Sequence, residues 1–370
     1  MKILFCFGTR PEAIKMAPLI KELKGNSTNF DVAVCLTAQH REMLDQVMNF
    51  FELKADYDLN IMKKDQTLQD ITISTIAGIR DTIKSFKPDL ILVQGDTTTT
   101  FASALSAFYE RVMVGHVEAG LRSFDKYSPY PEEINRVLTT QLSSIHFAPT
   151  EKARQNLLRE YIPQESIHVV GNTSIDALLL CLKVIKGNEA NYKKKFRYLN
   201  PNKRKVILVT GHRRESFGEP FRKICMSLKT IAMLENVDIV YPVHLNPNVR
   251  KPVYEILDNI KNIHLIEPLE YPDFVYLMYI SHLILTDSGG VQEEAPSLGK
   301  PVLVMRDVTE RTEGIEAGTA MLVGTDPQEI IEQSLLLLKN NEAYEKMANA
   351  VNPYGDGTAS QKIRDIIIKI

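Results

Sequence analysis

Charged and hydroxylic residues in this sequence recur directly after short apolar runs. In the stretch DSGGVQEEAPSLGKPVL, residues 287–303, a serine and two glycines follow the apolar run 283–285, and two glutamates come next. Small residues at the start of a helix suit phosphate, because free N–H groups and the positive end of the helix dipole face the anion. The glutamates would repel phosphate unless they bind a neutral, hydroxylated part of the same ligand.

Three further strand ends carry groups suited to anion binding or proton transfer. FGTRPE places Arg10 in a strand-to-helix turn, where pairing with phosphate is favoured, and Lys15 follows five residues later as either a ligand or a solvated cation. QGDTTTT supplies Asp96, which either caps a helix or belongs to a site. GHVEAGLRS supplies Glu118 at a strand end, an unusual place for a merely solvated carboxylate.

Two more segments extend this set. YSPYPEEINR delivers Glu132 into the first turn of a helix, where the dipole favours acids and an i,i+4 pair with Arg136 offers a purely structural account. TGHRRESFG brings His212 and Arg213 to an anion-binding turn that also holds a proton donor. Carboxylates crowded in one cleft raise each other's pKa, as a base acting near neutral pH requires. The chemistry implied is proton transfer on an anionic ligand.

Several reaction classes are excluded by motifs that the sequence lacks. The turn GTRPEA is not G-x-G-x-x-G, so a tightly bound nicotinamide is not expected. No His/Asp/Glu spacing resembles a metal site, and there is no Gly-x-Ser-x-Gly elbow. The cysteines are scattered and read as reduced, buried thiols. We therefore expect neither a metal, a cofactor nor a covalent nucleophile.

Composition indicates a soluble protein of the cytoplasm. The 370 residues carry a formal net charge of -2, which gives no general attraction to nucleic acid or to acidic lipid. The apolar run at the N-terminus is too short for a signal peptide, and no run reaches the roughly 18–20 residues of a membrane span. We expect no nucleic-acid partner and no membrane contact.

Two series of short apolar runs must position these groups. The first series is 3–7, 32–36, 90–93, 112–114, 145–148 and 167–170, and the second is 206–209, 239–243, 263–266, 283–285, 302–304 and 321–323. Helical periodicity lies between them, which predicts an α/β fold with two parallel sheets separated by the Lys-rich stretch 186–205. Ligands sit beyond the carboxyl ends of such strands, where all these turns fall.

The motifs together resemble the bacterial non-hydrolysing UDP-N-acetylglucosamine 2-epimerases over nearly the whole chain. Those that carry the resemblance include FGTRPEAIKMAPL, TAQHREMLDQV, GDTTTT, GHVEAGLRS, GHRRESFG, YPVHLNPNVR, TDSGGVQEEAPSLGKPVLVMRD and NPYGDG. The resemblance implies two Rossmann-like domains in a GT-B-like arrangement with the active site in the interdomain cleft. The expected domains are 1–170 and a UDP-binding domain 171–357, with a C-terminal helix, about 358–370, packing back on the first.

The family implies reversible conversion of UDP-N-acetylglucosamine to UDP-N-acetylmannosamine, which supplies cell-surface polysaccharide synthesis. The resemblance also implies that UDP is eliminated to leave a glycal and then added back, and that the enzyme is a homodimer. The matching catalytic positions are Asp96, Glu118, Glu132 and His212. The matching substrate contacts are Arg10, Lys15, Arg136, Phe274, Ser288, Gly289, Gly290, Glu294 and Arg311. Glu294 would bind the ribose hydroxyls and Ser288–Gly290 the diphosphate, which answers the question raised by the glutamates.

Some members are activated by substrate at a second site, whose residues match Gln39, His40, Arg213 and His244. The residues after His40 are Arg41 and Glu42, where activated members vary. Rival functions are an epimerase for a related UDP-diacetamido sugar, a GT-B glycosyltransferase, and a catalytically silent nucleotide-sugar sensor. A transferase needs one base, which the three carboxylates exceed. A sensor would lack at least one of the four catalytic positions, and all four are present.

Overall fold

The computed structural model describes residues 1–38, 41–63 and 65–370, without the side chains of residues 41–43. The chain forms two compact units. The first comprises Met1–Ala177 together with Tyr354–Ile370, and the second comprises Leu178–Pro353. The Lys-rich stretch 186–205 lies inside the second unit, and the chain passes from one unit to the other within a helix.

The first unit contains a seven-stranded parallel sheet in the order β3-β2-β1-β4-β5-β6-β7. Its strands are β1 (Lys2–Phe7), β2 (Asp31–Leu36), β3 (Tyr57–Asp58), β4 (Leu90–Gln94), β5 (Met113–Val117), β6 (Ile145–Ala148) and β7 (Ile167–Val169). Its helices are α1 (Arg10–Lys24), α2 (Arg41–Phe50), α3 (Leu68–Phe86), α4 (Thr98–Tyr109), α5 (Glu132–Leu142) and α6 (Glu151–Arg159). Helix α7 (Thr173–Gly187) leads into the second unit.

The second unit contains a six-stranded parallel sheet in the order β10-β9-β8-β11-β12-β13. Its strands are β8 (Lys205–Thr210), β9 (Val237–Pro242), β10 (Ile263–Ile266), β11 (Leu283–Thr286), β12 (Val302–Val304) and β13 (Ala320–Leu322). Its helices are α8 (Glu189–Lys195), α9 (Glu219–Leu234), α10 (Pro247–Leu257), α11 (Tyr271–Ile280), α12 (Gly289–Glu294), α13 (Thr312–Glu316), α14 (Pro327–Lys339) and α15 (Asn341–Ala348). The prediction of two parallel α/β sheets is confirmed.

The central strands are apolar over most of their length because helices cover both faces of each sheet. In β1 every residue from Ile3 to Phe7 is buried, and β4 is buried throughout. Each of the twelve apolar runs in the sequence coincides with a strand. The additional strand, β3, has only two residues and carries no apolar run, so it was not predicted.

Strand order places a topological switch point in each sheet. In the first sheet the chain moves outward in opposite directions from β1 and β4, and in the second it does so from β8 and β11. The loops that leave two such neighbouring strands diverge to opposite faces and open a crevice beyond the strand ends, where ligands bind in open α/β sheets. The turns 8–9, 95–97, 211–213 and 287–288 leave these four strands.

The chain ends with helix α16 (Ala359–Ile367), which packs on α1 of the first unit. Ile363 and Ile367 are buried there. The carboxylate of Asp176 accepts hydrogen bonds from the backbone N–H groups of Ala359 (3.2 Å) and Ser360 (2.7 Å), so a residue of α7 caps the start of α16. No helix within the described part of the chain is long and apolar enough to cross a membrane.

Candidate active site

Glu12 joins the two turns at the switch point of the first sheet. Its side chain is buried in the first turn of α1, and one oxygen accepts from the backbone N–H groups of Gly8 (3.0 Å) and Thr9 (2.8 Å). The other oxygen contacts the hydroxyls of Thr97 (2.7 Å) and Thr100 (3.0 Å) beyond β4. Burial raises the pKa of Glu12 although all these contacts lower it. The turn that carries Arg10 is thereby fixed to the turn that carries Asp96.

Glu118 follows β5 in a left-handed backbone conformation, with φ of 65°. A non-glycine residue with positive φ is uncommon and often marks a functional position. The side chain is only 7% exposed, and its Oε2 accepts hydrogen bonds from the Lys15 ammonium and from Nδ2 of Asn172, the latter at 3.1 Å. A Cβ on Gly95 would lie 3.9 Å from Oε1, so the carboxylate faces the neighbouring turn.

Asp96, in the turn after β4, is held from helix α5. Arg136 donates to Asp96 Oδ2 through Nε (2.9 Å) and Nη2 (2.7 Å), and Asn135 donates to the Asp96 carbonyl (2.9 Å). Arg136 also contacts Glu133 at 3.2 Å. The i,i+4 pair of Arg136 with Glu132 expected under the structural account is replaced by these contacts, because Asp96 reaches the guanidinium from the sheet.

Glu132 begins α5 beside this ion pair. Its Oε2 is buried and has no hydrogen-bond partner among the described residues. Its neighbour Glu133 instead accepts from the backbone N–H groups of Ser123 (3.0 Å) and Phe124 (2.9 Å), which fixes the loop that precedes the helix. The two adjacent glutamates therefore differ in role, since Glu133 is satisfied by its own loop and Glu132 retains an unpaired oxygen.

His116, two residues before Glu118, is fully buried in β5. Burial lowers its pKa to about 3, so the imidazole is neutral near pH 7. Its Nε2 donates to the Gly95 carbonyl at 2.7 Å, because a carbonyl can only accept. His116 therefore fixes the turn after β4 against the end of β5 and is not placed to exchange protons with solvent.

In the second unit, buried Asp287 organises the turn after β8. Its Oδ2 accepts from the backbone N–H groups of His212 (2.6 Å) and Arg213 (2.7 Å), and Nδ1 of His212 lies 3.3 Å from Oδ1. Burial opposes the charge on Asp287, but contact with His212 and the two donors outweighs it, so its pKa lies below the usual value. A carboxylate in this position orients the imidazole.

His244, after β9, stacks on His212 with ring centroids 5.5 Å apart and an interplanar angle of 16°. Its Nδ1 accepts the Asn246 N–H at 3.1 Å, which leaves the proton of the neutral ring on Nε2. Partial burial and the neighbouring His212 lower the pKa of His244. The prediction placed this residue in a second, regulatory site, and the structure brings it against the histidine predicted to be catalytic.

Ser288, Gly289 and Gly290 lie where β11 gives way to α12. Ser288 precedes the helix and its N–H donates to Thr286 Oγ1 at 2.9 Å. A Cβ at Gly289 would lie 3.3 Å from the guanidinium of Arg311, so glycine permits the cation to lie against the start of the helix. Arg311 in turn donates to buried Glu293 at 2.8 Å.

The remaining predicted positions are spread over several elements. Arg10 is the first residue of α1, Phe274 is half-buried in α11, and Glu294 is the last residue of α12. Gln39 and His40, predicted for a regulatory site, lie outside the described residues. The structure thus groups Lys15, Asp96, Glu118, Glu132 and Arg136 in the first unit. In the second unit it groups His212, Arg213, His244, Ser288, Gly289 and Arg311.

Three residues of these groups were not identified from the sequence: Glu12, Asn172 and Asp287. Thr9-x-x-Glu12 is a capping-box pattern that could have indicated Glu12. The other two offer no local signal, because their partners are distant in sequence. Among the described residues no cluster of three His, Cys, Asp or Glu side chains could hold a metal ion.

Comparison with known proteins identifies the family. The UDP-N-acetylglucosamine 2-epimerase family model matches residues 21–368. A UDP-N-acetylglucosamine 2-epimerase of Neisseria meningitidis serogroup A is 55% identical over 372 residues, covering 100% of both chains. The enzyme of that name from Escherichia coli K12 is 56% identical over 375 residues, covering 99% of this chain and 98% of its own.

Solved structures agree. The Neisseria meningitidis UDP-GlcNAc 2-epimerase bound to UDP-GlcNAc superposes with a TM-score of 0.92 at 55% identity, covering 100% of both chains. The Methanocaldococcus jannaschii enzyme in complex with UDP-GlcNAc and UDP gives a TM-score of 0.82 at 38% identity, again over 100% of both chains. The predicted fold class and the resemblance drawn from the motifs are confirmed. This chain belongs to the UDP-N-acetylglucosamine 2-epimerase family.

Proposed function

We propose that this chain interconverts UDP-N-acetylglucosamine and UDP-N-acetylmannosamine by eliminating UDP and adding it back through a glycal. The observation that carries the proposal is the group of acids in the first unit. Glu118, bonded to Lys15, and Asp96, bonded to Arg136, lie at neighbouring strand ends, and Glu132 begins the helix that supplies Arg136. Sequence identity of 55% and 56% to two enzymes of this name, over nearly the full length of the chain, supports the same reaction.

The reaction needs acids and bases rather than a hydride carrier. The proton on C2 of an N-acetylhexosamine is not acidified by an adjacent ring carbonyl. In the elimination, the C2–H bond gives its proton to a base, the C1–O bond breaks, UDP leaves, and a C1=C2 double bond forms. In the return step UDP adds to C1 while a proton is delivered to the opposite face of C2. Both faces of C2 therefore need a proton-transfer group, and the departing diphosphate needs positive charge.

We assign proton transfer at C2 to the carboxylates of the first unit, Asp96, Glu118 and Glu132. Binding of the diphosphate is assigned to the groups of the second unit, with His212 as the proton donor nearest to the leaving group. Asp287 supports this role, because a buried carboxylate beside the imidazole and bonded to the backbone of the same turn holds the ring in one orientation. Arg311 and the Ser288–Gly290 turn would contact the phosphates.

The remaining assignments follow the family resemblance. Arg10 and Lys15 would stabilise the phosphate or the charge that develops on it. Phe274 and Glu294 would contact the nucleoside, the latter through the ribose hydroxyls. Gln39, His40, Arg213 and His244 would form the second substrate site where activation occurs. Because His244 stacks on His212, a ligand bound to His244 would directly affect the position of the histidine assigned to the leaving group.

The activity is tested by incubating the purified chain with UDP-N-acetylglucosamine in deuterated water, without added metal or nicotinamide. We expect both UDP-sugars to appear, and each should carry solvent deuterium at C2 when examined by NMR. Retention of the original C2 proton in the epimerised product would contradict elimination. Consumption of substrate with release of a transferred sugar would instead favour a glycosyltransferase.

Substrate range is tested with a UDP-diacetamido sugar in the same deuterium assay. Preferential turnover of that sugar would favour the rival epimerase activity.

We also propose that the protein works in the cytoplasm as a homodimer. Sedimentation velocity at micromolar concentration should give the mass of two chains, and a mass of 41.9 kDa would contradict the dimer.

A further inference from the structure

Asn172 lies in the short connection between β7 and α7 and is buried, with 3% of its surface exposed. Its backbone N–H donates to the Tyr354 carbonyl at 2.7 Å. A Cβ on the preceding Gly171, whose φ is 95°, would lie 3.4 Å from Cα of Gly355. The connection is therefore held against the segment by which the chain returns to the first unit.

The orientation of the Asn172 amide follows from its hydrogen bonds. Oδ1 accepts the backbone N–H of Ser174 at 3.0 Å, and Nδ2 donates to Oε2 of Glu118 at 3.1 Å. A flipped amide would place its NH₂ against an N–H donor and its carbonyl against a carboxylate. Only the observed orientation satisfies both neighbours.

We infer that Asn172 is a positioning residue that keeps Glu118 ionised and aimed for proton transfer. This inference rests on the proposed role of Glu118. Burial disfavours a charged carboxylate, whereas donors to its oxygens favour it. Lys15 supplies a donor from α1, and Asn172 supplies another from the connection between β7 and α7. Ionisable groups on the neighbouring elements include His116 on β5, which is neutral, and Asp96 on the adjacent turn.

The direction of the effect follows from the sign of this interaction. A hydrogen bond to the charged form lowers the pKa of a carboxylate, so its loss raises that pKa. A base with a raised pKa becomes protonated at higher pH, and the acid limb of the rate profile moves upward. A hydrogen bond to a charged group contributes enough free energy to shift the pKa of that group by about one unit.

Asn172→Asp is the sharpest test because it is isosteric. The new carboxylate still accepts the Ser174 N–H, but it presents an acceptor to Glu118 in place of a donor. We expect the acid limb of the kcat profile to move up by about one pH unit or more. KM should change less than twofold. Asn172→Ala removes the donor without adding a charge, so it should shift the limb in the same direction by a smaller amount.

Asn156→Asp is the matched control. Asn156 is buried in the same unit, and its Nδ2 donates to the Gly120 carbonyl at 3.0 Å rather than to the Glu118 carboxylate. The same change there should leave the acid limb in place even if it lowers stability. A merely structural role for Asn172 would make the two variants behave alike.

A titration that does not depend on turnover separates this inference from the proposed function. The ¹³Cδ resonance of Glu118, assigned by its absence in Glu118→Gln, reports protonation of the carboxylate directly. We expect its midpoint to rise in Asn172→Asp and in Asn172→Ala, and to stay unchanged in Asn156→Asp. Unchanged midpoints in both Asn172 variants would overturn the inference. Absence of C2 exchange in the unmodified chain would overturn the proposed function alone.

Discussion

At the residue scale, the acids of the first unit are distinguished by what holds them. Asp96 is held by a two-point contact from Arg136, and Glu118 receives an ammonium and an amide on one oxygen. Glu118 is also the one of these acids whose backbone lies in the left-handed region, among the described residues. Its Oε1 faces the neighbouring turn, and we therefore propose Glu118 as the first of these carboxylates to test for action on a bound ligand.

Glu118→Gln should therefore lower kcat with little change in KM. Glutamine keeps the shape of the side chain and can still contact Asn172, but it cannot accept a proton. Loss of a general base costs about 10²–10⁴ in rate. Turnover measured by C2 deuterium exchange should fall by that factor. Glu52→Gln is the control, since Glu52 also has a positive φ but is 86% exposed, and it should retain full turnover. Near-normal exchange in Glu118→Gln would show that this residue is structural.

At the element scale, the sheets were predictable and the contacts between their turns were not. The apolar run 3–7 predicts β1 because both faces of that strand are buried. The run 283–285 predicts β11 for the same reason. The prediction that functional groups follow such strands depends only on chain direction. The threonine partners of Glu12 lie 85 and 88 residues away, and Lys15 and Asn172 lie 103 and 54 residues from Glu118, so no local pattern encodes these contacts.

Glu12 should stabilise the first unit in a pH-dependent way. Because burial raises its pKa, the folded chain binds this proton more tightly than the unfolded chain. Its contribution to the free energy of unfolding is complete below the unfolded pKa, about 4.3, and declines as pH rises through the folded value. Glu12→Gln has no such proton, and its amide can still accept from the turn and donate to Thr97 and Thr100. The thermal midpoint of the unmodified chain relative to Glu12→Gln should therefore fall between pH 4 and pH 8.

Glu12→Ala gives the complementary result. It leaves the N–H groups of Gly8 and Thr9 without their acceptor and should cost about 1–3 kcal/mol in the free energy of unfolding. A parallel loss in Glu12→Gln at every pH would contradict the predicted pH dependence and would show that an amide cannot replace the carboxyl group in either protonation state. Chemical denaturation at several pH values distinguishes these outcomes.

At the scale of the whole molecule, the chain builds most of the first unit, then the second, and returns to complete the first. In the returning segment, the carbonyl of Tyr354 accepts the backbone N–H of Asn172, and helix α16 packs against α1. Arg364 of that helix pairs with Glu22 of α1, and Asp176 caps its start. Residues at both ends of the sequence therefore support the turn that carries Glu118.

The face of α16 that meets α1 should be essential to this arrangement. Ile363 is completely buried, whereas Ile368, just after the same helix, is 49% exposed. Ile363→Asp buries an unpaired carboxylate and should cost about 3 kcal/mol or more, a fall in thermal midpoint of about 6 °C or more for a unit of this size. Ile368→Asp places the same charge in water and should stay within about 0.5 kcal/mol. Because Tyr354 leads into this helix, Ile363→Asp should also lower kcat at temperatures where the rest of the chain remains folded. Differential scanning calorimetry with the C2 exchange assay measures both effects, and a thermal midpoint of Ile363→Asp as high as that of the unmodified chain would show that α16 contributes nothing to the first unit.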